Sequence, residues 1–219
     1  MDRPKFSLVL FDFDGTIVDS EEGICKSVLY ALNKAGIAET DMQRLKYFIG
    51  PPLFDSFKEL YGVSDEAAQA LIEYYREYYA PTGHLLCSVY EGIPSLLKRL
   101  RASGCKTAVA SAKPEDFVIK ICREKGIDDC FDCMAGNTYD NNSPDKIPIL
   151  QRAMESCRVT EPSKVAMVGD RRFDIEAARA LGVYAVGVSF GFGSRQELIA
   201  AGANAVADNS SELCDILFK

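Results

Sequence analysis

The order of short apolar runs along this chain does most to restrict how it can fold. Residues 6–13 (FSLVLFDF), 106–110 (KTAVA), 164–168 (KVAMV) and 184–188 (YAVGV) are each brief and apolar and read as buried strands. Between them the spacing turns helical. Ile93, Leu96, Leu97 and Leu100 fall at i, i+3, i+4 and i+7 and stop before Gly104. A helix is expected over 114–125, with Pro114 near its first turn and Gly126 after its end, and another over 175–181, closed by Gly182. Ser194 reads as the N-cap of a helix over 195–201, with Glu197 three residues on completing a capping box. Strand and helix alternate from Lys106 onward. That order predicts an α/β fold, a doubly wound parallel sheet with helices on both faces.

One interval is too long for this pattern. About 90 residues separate Asp14 from the strand at Lys106, where a βαβ crossover needs only about 30. The surplus is helical throughout. Ile24, Val28 and Leu32 define one apolar face, closed by Gly36; Phe54, Phe57, Leu60 and Tyr61 mark a second helix; Leu71, Tyr74, Tyr75, Tyr78 and Tyr79 mark a third. The tyrosines follow helical spacing, so they are expected to pack within a bundle rather than to stack on a ligand. The organisation expected is an α/β core of residues 1–15 and 88–219, interrupted by an all-helical insert of residues 16–87.

Composition narrows the function. The 219 residues suit one domain with a smaller insert, and 47% apolar with 26% charged residues is a globular balance. A net charge of −7 argues against a nucleic acid polymer as partner but leaves room for a small anion in a local positive pocket. The one histidine, His84, excludes mechanisms built on several imidazoles. No run approaches the roughly 18 apolar residues of a membrane span, and residues 1–6 carry no targeting pattern, so a cytoplasmic location is expected. The eight cysteines are irregularly spaced. Cys130 and Cys133 form the one CxxC; without a second ligand pair they read as ordinary thiols.

Four strings carry candidate chemistry. In FDFDGTIVDS, Asp12 and Asp14 stand where an apolar strand runs out and Gly15 ends it. Strand geometry puts both on one side, at the carboxyl end where parallel sheets bind ligands. Ser111 ends a strand in VASAKP, and Lys146 stands at a helix start in SPDK. A lysine there opposes the helix dipole unless it serves an anion. In MVGDRRFD, Asp170 ends another strand and Asp174 follows at i+4. Each string alone has a bland reading as a cap or turn. Together they bring four acids, a hydroxyl and an ammonium to one sheet edge, a donor set suited to Mg²⁺ and phosphoryl oxygens.

These strings, in this order and spacing, resemble the four motifs of the haloacid dehalogenase superfamily over essentially the whole chain. DxDGTxxDS matches Asp12 to Ser20, and GDxxxD matches Gly169 to Asp174; Ser111 and Lys146 match the second and third motifs. The insert lies where that family carries its helical C1 cap. The segment SAKP, the loop GVSFGFGS and the string AAGAN are similar to the phosphoglycolate phosphatase and 5′-nucleotidase-like branch. Arg171 departs from the threonine frequent at its place. The resemblance implies a Mg²⁺-dependent phosphatase acting on a small phosphorylated metabolite through an aspartyl-phosphate. Asp12 would be the nucleophile and Asp14 the acid and base, with Ser111 and Lys146 spreading phosphoryl charge. Asp12, the backbone carbonyl of Asp14, Asp170 and Asp174 would serve the metal. Gly15, Thr16, Ala112 and Lys113 would contact substrate, together with Gly50 and Pro51 of the stiff insert loop. A monomer or weak homodimer is expected.

Other readings remain open. A sugar-phosphate mutase similar to β-phosphoglucomutase would commonly carry a histidine soon after the first motif, and residues 19–25 have none. A pyrophosphatase fits the same motifs. Among non-enzymes, a phospho-receiver module lacks the insert, and an idle binding protein would be expected to have lost a motif residue. The glycines of the 187–193 segment imitate a dinucleotide fingerprint, but Gln196 stands where its third glycine belongs. The segment is expected to be a flexible loop at the active edge.

Overall fold

The structure, a computed structural model, describes residues 4–137 and 145–219. Residues 1–3 of the N-terminal string, and Ser143 and Pro144 of the third candidate string, lie outside the described residues. Six parallel strands form one sheet in the order β5-β4-β1-β6-β7-β8. They are β1 (Leu8–Phe11), β4 (Lys106–Pro114), β5 (Cys133–Asn137), β6 (Val165–Gly169), β7 (Tyr184–Val188) and β8 (Ala205–Ala207). Two short strands, β2 (Val18–Asp19) and β3 (Ser88–Val89), pair separately. Every residue of β1 has zero exposure, because helices cover both faces of a central parallel strand and alternation is lost. Full burial of each such side chain stabilises by roughly 1.5–3 kcal/mol.

The chain runs from β1 to one side of the sheet through β4 and β5, then returns to the other side through β6, β7 and β8. Leu8 therefore aligns with Lys106 on one flank and Val165 on the other. This reversal is a topological switch point, and ligands bind at the carboxyl ends of the strands beside it. Leu8, Leu10, Ala108 and Ala110 pack with Ile149, Leu150 and Ala153 of α7 (Ile147–Ser156) and Ile175 and Ala178 of α8 (Arg172–Ala180). The alternate residues Val9, Phe11 and Val109 are as deeply buried and face the opposite helical layer.

The chain divides into two compact units. Among described residues, 4–19, 89–137 and 145–219 form the α/β unit, and 20–88 form the helical one. The helical unit contains α1 (Glu21–Lys34), α2 (Met42–Leu45), α3 (Leu53–Tyr61) and α4 (Asp65–Tyr79). Its tyrosines pack as their spacing predicts: Tyr75 and Tyr79 are buried and stacked at 5.1 Å, and Lys34 lies over the Tyr74 ring. Gly50, at φ 106°, and Pro51 precede α3, which starts behind Pro52.

Three local expectations are corrected. The strand at 106–110 continues to Pro114, so Pro114 precedes α6 (Glu115–Glu124) rather than opening it. The helix expected at 175–181 starts earlier, at Arg172, because the side chain of Asp174 accepts the Arg171 N–H and caps it. Ser194 does cap α9 (Arg195–Ala201), accepting the Glu197 N–H at 3.1 Å. Glu197 does not close the expected capping box. Its carboxylate takes the Arg171 Nε–H at 3.1 Å and the Arg172 N–H at 2.9 Å, where a guanidinium and an open helix N-terminus offer a charge-assisted pair of donors. All eight cysteines are free thiols, and β5 places Cys133 on an edge strand.

Candidate active site

The sheet delivers the first acid. The Asp12 N–H donates to Val168 O at 2.8 Å, extending the β1–β6 ladder by one residue. The chain then turns: the N–H groups of Ile17 and Val18 both donate to Phe13 O. Gly15 makes the turn possible at φ 80°, and a Cβ there would lie 2.1 Å from Asp170 Oδ2. Asp170 follows the end of β6, and Asp174 projects from the first turn of α8. Asp12, Asp170 and Asp174 are all buried, with one carboxylate oxygen from each lying within 4.8 Å of the others.

A single ammonium serves this cluster. Lys146 caps the start of α7, and its Nζ lies 2.9 Å from Asp12 Oδ1 and 2.5 Å from Asp174 Oδ1. Burial works against the Lys146 ammonium, but Asp12 and Asp174 outweigh it and hold its pKa above the ordinary lysine value. Asp170 is less well compensated. Burial first, then the charges of Asp12 and Asp174, push its carboxyl well above the usual range. Asp174 is also raised, by burial and then by Asp12, against the pull of Lys146. Asp170 Oδ1 is buried and, among the described residues, accepts no hydrogen bond. Three buried carboxylates around one ammonium leave negative charge in a place where it is costly. An oxygen-seeking divalent cation would relieve that charge and engage the orphan oxygen, so the residues fit such a metal.

Of the remaining predicted residues, Asp14, Gly15, Thr16, Ser111, Ala112 and Lys113 belong to the α/β unit. Ser111 is 2% exposed on β4, and its Oγ accepts the Lys113 N–H at 3.3 Å. Lys113 does not join the acid cluster; its Nζ contacts Asp14 Oδ1 at 3.0 Å and Oδ2 at 2.9 Å. The Asp14 carboxylate thus lies apart from the three clustered acids. Thr16 is fully buried and its hydroxyl has no hydrogen-bond partner. Ala112 lies between Ser111 and Lys113 on β4. Gly50 and Pro51 belong to the helical unit.

The 187–193 segment differs from the expected flexible loop. The Phe192 N–H donates to Asp170 Oδ2 at 2.8 Å. A Cβ on Gly191 would meet Gly15 O at 2.2 Å, and one on Gly193 would meet Asp170 O at 1.9 Å. The glycines are there for close approach, so the segment is a backbone clamp on Asp170. The clustering of glycines after a late strand was a visible signal, but only the fold shows what they approach.

An acid cluster at the switch point of a parallel sheet, with a buried lysine among the acids, is a donor set suited to a divalent cation and phosphoryl oxygens. Residues 9–188 match the model of the haloacid dehalogenase-like hydrolases, and the chain belongs to that family. It is 37% identical to a 5′-nucleotidase of Pseudomonas aeruginosa, over 89% of this chain and 87% of that protein. It is 35% identical to the tyrosine-protein kinase PtkA of Mycobacterium tuberculosis, over 85% of this chain and 63% of that protein. A phosphoglycolate phosphatase of Vibrio vulnificus is 29% identical over 99% of this chain and 98% of its own length. Among solved structures, a predicted phosphatase from Clostridium acetobutylicum superposes with a TM-score of 0.90 at 39% identity, covering 96% of this chain and 97% of that one.

Proposed function

We propose that this protein is a Mg²⁺-dependent phosphatase hydrolysing a small phosphomonoester, of the phosphoglycolate or nucleoside 5′-monophosphate type, through an aspartyl-phosphate. The observation that carries this reading is the placement of Asp12 beside Asp170, Asp174 and Lys146 at one strand end. Asp12, Asp170, Asp174 and the backbone carbonyl of Asp14 would hold the metal; when bound, it neutralises carboxylate and phosphoryl charge. Asp12 attacks phosphorus while the ester P–O bond breaks, and Asp14 gives a proton to the departing oxygen. Water then attacks phosphorus, Asp14 takes its proton, and inorganic phosphate leaves with the Asp12 carboxylate restored. Lys146 and Ser111 offer donors to the equatorial oxygens, where charge is spread in the transition state. Gly15, Thr16 and Ala112 line the phosphoryl position, and the orphan Thr16 hydroxyl supports that role.

The helical unit acts as the cap, with Gly50 and Pro51 in its specificity loop; substrate choice resides there because the phosphoryl group is common to all candidates. A panel of phosphorylated metabolites, assayed with Mg²⁺ and with EDTA, tests the whole reading. Inorganic phosphate released in step with substrate consumed supports hydrolysis. Transfer of the phosphoryl group to a protein or sugar acceptor, or full activity in EDTA, contradicts it.

A further inference from the structure

We propose that Lys113 is a positioning residue that fixes the carboxylate of Asp14, and so sets how well that carboxylate reaches the departing oxygen. The proposal rests on the reading of Asp14 as the proton carrier. The pair joins two adjacent strand ends across 99 positions in sequence, with Nζ 3.0 Å from one oxygen and 2.9 Å from the other. Their side chains are 5% and 16% exposed, so solvent screens the contact little. A single contact would leave the carboxylate free to rotate about its second torsion; contact with both oxygens fixes the plane as well.

The need for such a clamp follows from the local chain. Asp14 is followed at once by Gly15 in the left-handed region, where the backbone leaves the sheet. Asp12, by contrast, is held by the β1–β6 ladder and by Lys146. Lys113 comes from the neighbouring strand. It lies in β4 beyond the part paired with β1, where the β4–β5 ladder shifts register between Ala110 and Pro114, and its own N–H is tied to Ser111 Oγ. Ser111 and Lys113 stand two apart on one strand, as Asp12 and Asp14 stand two apart after its neighbour. The clamp therefore ties a carboxylate that stands just past the end of β1, on a residue bridged to Val18, to the neighbouring strand. A proton carrier works only within about 2.6–3.2 Å of its target, so losing orientation lowers the reactive fraction.

The test is a double-mutant cycle of Lys113→Met and Asp14→Asn, read on two substrates. One is the alkyl phosphomonoester turned over fastest in a panel, which needs proton donation; the other is p-nitrophenyl phosphate, which needs little. Lys113→Met should lower kcat for the alkyl ester about tenfold, with KM and the p-nitrophenyl phosphate rate changed less than about twofold. In the Asp14→Asn background it should add no further loss, because it acts through the group already removed. Lys113→Arg, which keeps a bidentate donor, should recover most of the rate. Additive losses in the cycle, or equal losses on both substrates, overturn the proposal. If Asp14→Asn itself slows both substrates alike, the proton-carrier reading falls and the proposal with it; that arm separates the two failures. Thermal melts and a Lys113→Arg variant that restores rate distinguish lost positioning from lost folding.

Discussion

The backbone N–H of Phe192 reaches 22 residues back to Oδ2 of Asp170 at 2.8 Å. One oxygen of Asp170 is thereby satisfied and the other, Oδ1, is buried without a hydrogen bond. The clamp thus helps to orient the carboxylate and leaves Oδ1 without a partner among the described residues. The tightness of the arrangement is testable. Gly191→Ala would force a Cβ to within 2.5 Å of the Asp170 Cβ, and something must shift. Activity should fall at least about tenfold, with a weaker apparent Mg²⁺ affinity, since a ligand misplaced by even 1 Å is costly. A Mg²⁺ titration of activity checks it.

Charge balance in the acid cluster predicts opposite effects of two substitutions on the metal-free protein. Lys146→Met removes the ammonium that touches Asp12 and Asp174, and should destabilise by about 3–5 kcal/mol in EDTA. Asp170→Asn removes a poorly compensated buried charge and should stabilise the metal-free protein by about 1–2 kcal/mol. Urea denaturation in EDTA measures both.

Metal binding should itself stabilise the fold. Mg²⁺ should raise the melting temperature of the wild-type protein, by mass action on the folded state. Asp170→Asn should lose most of that rise while keeping the cooperative transition. Thermal melts across a Mg²⁺ series, with Ca²⁺ as a comparison, give the answer.

The proposed division of labour between the two units predicts a change of preference without a change of chemistry. Pro51→Gly should reorder the substrate panel and raise KM, while leaving the requirement for Mg²⁺ intact. If Pro51→Gly leaves the ranking unchanged while Ser111→Ala reorders it, substrate choice belongs to the α/β unit instead.

Four of the six sheet strands, and the acid cluster at their ends, were readable in the sequence for a specific reason. In a parallel sheet buried on both faces, each strand is an unbroken apolar run, so LVLF and VAMVG stand out and their ends mark the functional edge. Asp12, Asp170, Asp174 and Lys146 could therefore be assigned to one place before any geometry was known. Three features were less legible, and all depend on contacts between distant segments. Glu197 fits a local capping box but binds the start of α8 instead. The glycines at 191 and 193 look like flexibility but mark close packing on Asp170. Lys113 reads as a substrate contact, yet its ammonium lies on Asp14. Spacing along a chain cannot reveal such pairings, because tertiary partners compete with local ones.

In the proposed reaction Asp12 carries the phosphoryl group during turnover. The direct measurement is acid-quenched mass spectrometry of the enzyme during steady-state hydrolysis with Mg²⁺, with the modified peptide sequenced. One phosphoryl group is expected on the peptide containing Asp12 in the wild-type protein, and none in Asp12→Asn, which should also have lost turnover by about 10³-fold or more. A phosphoryl group on a different residue, or an Asp12→Asn protein that still turns over substrate at a rate near wild type, would contradict it.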